Sequence, residues 1–383
     1  MYPCFTISRI LGIFPYKINN STFEIPKSRY ISSTIIFCIF CVCGGIIFYK
    51  LDISGAIMHL DVPRSLECHC YYLLGTFTAS VTYISKRSQL QLLQTILKIS
   101  SKLSSESYQK LSRLIHVKDI LLFFFLISLA TICCVHLPLY TIMQTLLALY
   151  ITLIQLQVDM QYMNYVCILK VCFKKINDNL VNIQKLIISD KPHLLRRIYH
   201  EQRNSFLLME LTVLRKQHLI LSDTVQILNM TFSLQLLVTI VMTFSEITFN
   251  LYFYILVTMF KREKDKFWLY LIFSMVVIYY LTKIILIVWA CESSKDQAAK
   301  IGVTVHDLLN SISDKQIKDE LQLFSLQILH RENIFSAKGL SVDSSLLTAM
   351  VASITTYLLI LIQFLITSHS CDKNTINLTK IMY

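Results

Sequence analysis

The residues best placed to do chemistry in this chain lie on one face of its last long apolar segment, 342–368. Small and polar residues recur along this segment at spacings of 4, 3, 4 and 7, which is one face of a helix: Ser345, Ala349, Ala352, Thr356 and Gln363. Such a face either lets membrane helices pack closely or lines a path for water and ions. The spacing alone favours close packing. Gln363 shifts the balance, because an amide near the end of a spanning helix needs partners or water.

Three ionisable residues lie inside other apolar segments, where a charge is costly and therefore marks a functional hypothesis. Asp159 and Lys283 are expected at similar depth, so they could form an ion pair that holds two helices in register. That structural role is at least as well supported as a role in ligand binding. Glu246 has no obvious partner at its own depth, and it either faces an aqueous pocket or is neutralised by a proton.

Aromatic and polar residues gather toward one end of several apolar segments. Ligand pockets are mostly apolar and aromatic with a few polar groups, so this composition suits a binding site. Tyr and Trp also collect at membrane interfaces regardless of function, and this alternative stays open for each residue. The candidate ligand-binding residues are Tyr72, His136, Gln144, Glu246, Asn250, Tyr254, Trp268 and Tyr279, with Tyr71 and Tyr280 as neighbours of the same kind.

The sequence predicts no catalytic residues, no metal site, no cofactor and no nucleic-acid partner. No nucleophile–base constellation or phosphate loop stands out, and Cys68-His69-Cys70 has the wrong spacing for structural zinc. The net charge of +12 comes from basic residues spread between apolar segments, which is typical of loops that fix membrane topology. With 7 Gly and no visible repeat, a transporter is disfavoured.

Helices in a membrane must position these residues. Of the 383 residues, 54% are hydrophobic and 16% are charged, which is too apolar for a soluble domain. We predict an all-α membrane protein with an N-terminal segment 1–30, a seven-helix domain 31–368 and a tail 369–383. A helix needs roughly 20 residues to cross a bilayer, and the predicted spans are 31–49, 66–85, 120–137, 140–169, 225–259, 267–290 and 342–368.

The basic residues between the spans predict the orientation. With the N-terminus in the cytoplasm, the cytoplasmic segments contain 27 Lys and Arg and the opposite side contains 8. Basic residues favour the cytoplasmic side, so we predict a cytoplasmic N-terminus and an extracellular C-terminus. The cytoplasmic segments 87–118, 171–224 and 295–330 repeat apolar residues at helical spacing. We therefore predict that the fourth to seventh helices extend inward and pack as an anchor bundle.

The last apolar segment also carries a resemblance. Thr356-Tyr357, five aliphatic residues and Gln363-Phe364 resemble the signature of the insect gustatory receptors. Upstream, 320–330, Phe335-Ser-Ala-Lys-Gly339 and Val342-Asp343 resemble the stretch that leads into the last helix of that family. At the end of a seven-span chain of this size, the match is specific.

The resemblance implies a tastant-gated, non-selective cation channel in the plasma membrane of chemosensory neurons. It implies a homotetramer, or a heterotetramer with other gustatory receptors, whose subunits meet at the anchor bundle. Four copies of the last helix would surround the pore, with Gln363 and Phe364 as the gate and with Thr356, Leu359 and Ile360 along the wall. The expected partners are a small-molecule tastant and membrane lipid.

The resemblance also indicates a ligand class. Sugar-type members carry Glu after Thr-Tyr, and this chain has Leu358 there, so a bitter or other non-sugar organic molecule is expected. A fructose-type receptor shares the motif but tends to be longer. An odorant receptor of the same fold is disfavoured by the intact Gln363-Phe364 pair. A G-protein-coupled receptor is disfavoured by the predicted orientation, which is the reverse of that class.

Overall fold

The computed structural model describes residues 2–13, 16–19, 22–24, 26–52, 62–101, 103–136, 142–188, 197–260, 263–312 and 314–381. Within these ranges the chain is almost entirely helical, as the sequence predicts. The elements in chain order are α1 Tyr2–Ile10, β1 Lys17–Asn19, β2 Thr22–Glu24, α2 Lys27–Asp52, α3 Val62–Ile84, α4 Lys86–Ser100, α5 Ser105–His136, α6 Ile142–Ile188, α7 Arg197–Phe260, α8 Glu263–Ser311, α9 Lys315–His330, β3 Ser336–Ala337, β4 Leu340–Ser341 and α10 Ser344–Ile381.

Seven of these helices coincide with the predicted spans: α2, α3, α5, α6, α7, α8 and α10. Among the described residues, all of them except α3 are both long and apolar enough to cross a membrane. Helix α3 has the required length but is more polar, because Arg64, Glu67 and His69 lie in its first turns. These criteria are length and composition alone, so the orientation of the helices in a membrane stays a prediction.

Several helices run well past the predicted spans. Helix α5 begins at Ser105, before the predicted span that starts at 120. Helix α6 continues to Ile188, past 169, and α7 begins at Arg197, before 225, in agreement with the predicted extensions. Helix α8 likewise continues to Ser311, and α10 continues through the predicted tail to Ile381. The amphipathic sequences beside each apolar block keep the helical period, so the helix does not end where the apolar block ends.

The N-terminal segment, which the sequence analysis left without structure, folds against the helical bundle. The amide of Gln161 on α6 donates to Ser8 Oγ on α1 at 2.9 Å. The hydroxyl of Tyr150, also on α6, donates to the carbonyl of Leu11 at 3.0 Å. Strands β1 and β2 pair as an antiparallel hairpin just before α2. The first residues of the chain therefore belong to the folded body.

Lys86, at the start of α4, is buried where this N-terminal segment meets the bundle, and it is 4% exposed. Its ammonium donates to Ser33 Oγ at 2.5 Å and lies 3.8 Å from the ring centre of Tyr83. Its carbonyl accepts the hydroxyl of Tyr16 at 2.5 Å. Burial lowers the pKa of Lys86 to about 8, because removal from water disfavours the charged form.

Helix α6 is the centre of the molecule. Residues 154–169 are buried on all faces, and α6 packs against α3, α5, α7 and α8. The contact with α3 is close: a Cβ added at Gly75 would lie 2.4 Å from Ile151 Cγ2. The absence of a side chain at Gly75 therefore sets how near these two helices come.

The extensions of α7 and α8 pack with α9 into a second bundle. Asp314 caps α9 by accepting the backbone N–H of Ile317 at 3.1 Å, which satisfies one of the unpaired donors of the first turn. Arg215 on α7 pairs with Glu320 on α9 at 2.7 Å. A tight hairpin of β3 and β4 then leads into α10, and Gly339 supplies the positive φ of 89° that its turn requires.

Candidate functional site

A cavity of about 240 Å³ lies among α3, α5, α6, α7 and α8. Its wall is mostly apolar and aromatic, with four tyrosines, two carboxyl groups and few other polar side chains. The lining residues are Glu67, Cys68, Tyr71, Tyr72, Leu126, Leu129, Ala130, Cys133, Cys134, Gln144, Thr145, Ala148, Leu149, Thr152, Glu246, Val276, Tyr279 and Tyr280. An apolar wall with a few polar groups is the usual composition of a small-molecule site.

The tyrosines are held in place by contacts between helices. The hydroxyl of Tyr71 on α3 donates to the carbonyl of Ala148 on α6 at 2.8 Å and lies 2.6 Å from Thr152 Oγ1. The rings of Tyr279 and Tyr280, neighbours on α8, meet edge to face with centres 5.1 Å apart. Because each ring is fixed by its neighbours, the aromatic wall is already formed without a ligand.

The two carboxyl groups at the cavity have different surroundings. Glu67 on α3 pairs with Arg64 at 2.6 Å. Glu246 on α7 is 7% exposed, and the amide of Asn250 donates to one of its oxygens over a long 3.4 Å. Among the described residues, no basic side chain lies within ion-pair distance of Glu246.

A buried ion pair lies beside the cavity. Lys283 Nζ on α8 is 3.1 Å from Asp159 Oδ2 on α6, and both side chains are almost fully buried. Thr239 on α7 donates to the other carboxylate oxygen of Asp159 at 2.7 Å. The ammonium of Lys283 also lies 4.9 Å from the ring centre of Tyr280, which lines the cavity. Three helices and one cavity wall thus meet at this pair.

Helix α10 has a buried side and an exposed side. Leu346, Met350 and Ile354 are buried against the bundle. The opposite side, with the small and polar residues predicted to share a face, is exposed in the single chain: Ser345, Ala349, Ala352, Thr356 and Gln363. Leu359, Ile360 and Phe364 are also exposed, at 55%, 53% and 65%. In an isolated chain, the amide of Gln363 and the ring of Phe364 are therefore exposed next to each other.

Helix α7 connects the cavity to α10. Glu246 lines the cavity, while Phe244, two residues earlier, meets the ring of Tyr357 edge to face with centres 5.6 Å apart. One to three turns further along, the cluster around Phe249 and Phe253 packs against residues of α10, namely Leu358, Leu361 and Leu365. A shift of α7 at the cavity would therefore reach the Thr356–Phe364 stretch of α10.

The structure separates the sequence-predicted ligand residues into groups. Tyr72, Gln144, Glu246 and Tyr279 line the cavity. Asn250 is buried behind Glu246 and contacts it. Tyr254 and Trp268 are 40% and 43% exposed and are not among the lining residues, which matches the membrane-interface alternative. His136 is the last residue of α5, and its side chain lies outside the described part of the chain.

Sequence reasoning missed several lining residues. Glu67 and Cys68 lie in the polar first half of α3, and Cys133 and Cys134 lie near the end of α5. Arg64-x-x-Glu67 was the available signal, because a charged pair one helical turn apart in a membrane helix points to a polar site. Among the described residues, no group of three or more His, Cys, Asp or Glu could hold a metal ion.

Known proteins resemble this chain over most of its length. The family described as 7tm Chemosensory receptor matches residues 1–368. Putative gustatory receptor 28a of Drosophila melanogaster is 26% identical over 96% of this chain and 92% of its own length. Putative gustatory receptor 28b of the same species is 36% identical over 38% of this chain. That alignment spans only 32% of the relative's own length.

Solved structures share the fold. The olfactory receptor OR5 from Machilis hrabei superimposes with a TM-score of 0.70 and 12% identity, over 95% of this chain and 97% of that one. The same receptor in complex with eugenol matches equally well, at 13% identity. The family is one of receptors and not of enzymes. On the match across residues 1–368, this chain belongs to the 7tm chemosensory receptor family, the family of the insect gustatory receptors.

Proposed function

We propose that this chain is a gustatory receptor subunit that forms a tastant-gated, non-selective cation channel. The pore lies between copies of α10, and Gln363 and Phe364 form its gate. This proposal rests on the exposed side of α10, where a row of polar and aromatic side chains is not packed against the rest of the chain. Copies of the same helix facing each other would cover this side and give the amide of Gln363 the water or partners that it needs.

Exposed apolar residues outside the predicted spans support assembly into a tetramer. On α8 and α9, Val303, Leu323, Leu326 and Leu329 are between 52% and 73% exposed. In the proposed orientation this surface faces the cytoplasm, where no lipid covers it. An apolar surface of this kind marks a protein–protein contact. We assign it to neighbouring subunits, either identical copies or other gustatory receptors.

The ligand site in this proposal is the cavity behind α7. A tastant opens the channel only if it binds the open arrangement more tightly than the closed one. Helix α7 supplies the link, because its residues between 244 and 257 contact both the cavity and α10. A ring of Phe364 side chains closes the pore by excluding water, and its displacement lets the pore hydrate around Gln363.

We further propose that the ligand is a bitter or other non-sugar organic molecule, and that the receptor resides in the plasma membrane of chemosensory neurons. The cavity has an aromatic, weakly polar wall, which suits such a molecule better than a sugar with many hydroxyl groups. The Machilis hrabei olfactory receptor, which shares this fold, has been solved in complex with eugenol, an aromatic organic molecule.

Whole-cell current from cells that express the chain tests the gate. Replacement of Phe364 by Ala removes the ring that excludes water, so we expect a clear increase of the resting cation current. Phe267→Ala is a matched control, because Phe267 on α8 is equally exposed, at 66%, but lies off α10. Resting currents that are equal in wild type and both variants, at equal surface expression, would refute the gate assignment.

A further inference from the structure

The charges around the cavity are not balanced. Among the described residues, its lining includes two carboxyl groups, Glu67 and Glu246, and no Lys, Arg or His. Arg64 neutralises Glu67 at 2.6 Å. Glu246 is only 7% exposed. Within the described residues, the hydrogen bond to its carboxyl group is a long one of 3.4 Å from the amide of Asn250. One buried carboxyl group therefore faces the cavity without a counter-charge.

Two basic side chains beside the cavity, Lys283 and Arg64, are already engaged. Lys283 lies 3.1 Å from Asp159, and Arg64 is held by Glu67 and lies 5.1 Å from the ring centre of Phe253. Neither can pair with Glu246 without abandoning its own carboxylate in a buried place, which is strongly unfavourable. A counter-charge for Glu246 would therefore have to come from a bound group, and without one the carboxyl group can be neutralised by a proton.

The tyrosines around Glu246 suit a cation. An ammonium group over an aromatic face is attracted by the electrons of the ring, within roughly 6 Å of its centre. Such a contact already exists at the cavity wall, where the ammonium of Lys283 lies 4.9 Å from the ring centre of Tyr280. On the other side, the rings of Tyr71 and Tyr72 meet edge to face with centres 5.5 Å apart.

We propose that the cavity selects organic cations: protonated amines or quaternary ammonium compounds whose apolar part fills the aromatic wall and whose charge pairs with Glu246. This proposal rests on the proposed function, because it takes the cavity to be the tastant site. At about 240 Å³ the cavity is below the roughly 300–1,000 Å³ that is usual for drug-sized ligands, so small ligands with one aromatic ring fit best.

Binding to the purified full-length chain in detergent tests this assignment. The probes are 2-phenylethylamine, which is a cation at pH 7, 2-phenylethanol, which is neutral, and 3-phenylpropionate, which is an anion. Each probe is added to the protein at increasing concentration, and the shift of the thermal unfolding midpoint gives its affinity. We expect the amine to bind at least about tenfold more tightly than the alcohol, and the anion to bind least, because the charge pair forms in a dry site.

Glu246→Gln keeps the shape of the side chain and removes its charge. We expect this variant to lose the preference for the amine while it still binds the alcohol. Glu332→Gln, at an exposed position far along the chain, is the control for a general change of net charge. The comparison of three probes on the wild-type protein is informative even if Glu246→Gln does not fold.

The assignment fails if the alcohol binds wild type as tightly as the amine, if Glu246→Gln keeps the preference, or if folded protein binds no amine. The proposed channel fails in a different way. Amine binding without an evoked current, in cells that express this chain both alone and together with other gustatory receptors, would contradict the channel and leave the cation site intact. Currents evoked equally by neutral and anionic compounds would contradict the cation site and leave the channel intact.

Discussion

Two ionisable residues in the interior of this receptor, Asp159 and Lys283, are buried away from water. Asp159 and Lys283 lie in different helices, and their pairing at 3.1 Å compensates two buried charges at once. Thr239 adds a third helix to the same point through its hydrogen bond to Asp159. The pair holds α6, α7 and α8 in register next to the cavity wall.

We predict that Lys283→Met destabilises the receptor strongly, by about 3–5 kcal/mol, because it leaves the carboxylate of Asp159 buried without a partner. The double variant Asp159→Asn with Lys283→Met should recover much of this loss, since it removes both charges. The thermal midpoint of the purified chain measures the effect. The exposed pair of Arg331 and Asp223, at 3.1 Å, is the control, and Arg331→Met should change stability by about 1 kcal/mol or less.

A second residue-scale prediction concerns Lys86, whose pKa burial lowers to about 8 from an ordinary 10.5. Between these values the unfolded chain binds more protons than the folded one, so Lys86 destabilises the fold below about pH 8, and this penalty disappears as the pH rises toward 10.5. We compare the thermal unfolding midpoints of wild type and Lys86→Met at each pH. The wild-type midpoint should rise relative to that of the variant between pH 7 and pH 9.5. A difference that stays constant or falls over this range would contradict the assignment.

Which aromatic residues line the cavity could be predicted only in part. Tyr72, Gln144, Glu246 and Tyr279 were among the sequence candidates and do line it, whereas Tyr254 and Trp268 are exposed near the ends of their helices. The reason is geometric. Helices α6 and α7 are apolar on nearly every face, so their hydrophobic pattern does not specify how each is rotated about its axis.

At the scale of elements, α3 and α6 cross closely at Gly75. These helices contribute two walls of the cavity, so their spacing determines its width. Gly44, in α2, offers a comparison, because a Cβ added there meets nothing within 4 Å.

We predict opposite effects for the same substitution at these two glycines. Gly44→Ala should be neutral or slightly stabilising, by up to about 1 kcal/mol, because Ala favours helix over Gly. Gly75→Ala should lower the thermal midpoint, because its Cβ would lie 2.4 Å from Ile151 Cγ2. The addition of Ile151→Ala to Gly75→Ala should relieve the clash. Equal midpoints for the two single variants would argue against the close crossing.

The elements themselves were largely predictable, and their ends were not. Apolar length placed seven helices correctly, including α3 despite its charged first turns. The extension of α6 to α8 beyond the apolar blocks was predicted from their helical spacing, but the residues at which the helices end were not, because packing between the extensions determines them. The N-terminal α1 was missed because it is short, and its place depends on distant partners such as Gln161 and Tyr150.

At the scale of the whole molecule, the fold and the family follow from the match across residues 1–368 and from the shared architecture of the solved olfactory receptor. The orientation in the membrane rests on the distribution of basic residues. The proposed assembly rests on surfaces that one chain leaves exposed. Sequence alone could indicate that the extensions pack as helices, but not which of their faces would remain exposed.

We predict that an epitope tag placed after Tyr383 is labelled on intact cells, and that a tag before Met1 is labelled only after permeabilisation. Both follow from a cytoplasmic N-terminus with seven spans. The opposite labelling would reverse the orientation and restore the G-protein-coupled class. Labelling of both tags on intact cells would mean an even number of spans and would remove α3, the most polar of the seven, from the membrane.

The exposed leucines of α9 and Val303 of α8 have a consequence for the cell that makes this receptor. In the predicted orientation, a subunit without neighbours would expose this apolar surface to the cytoplasm, and chaperones and the degradation machinery recognise such surfaces. In the proposed assembly, only a completed complex hides it. The amount of receptor that reaches the cell surface would then be governed by the scarcest compatible subunit, and each neuron would set its taste repertoire through the proportions in which it synthesises them.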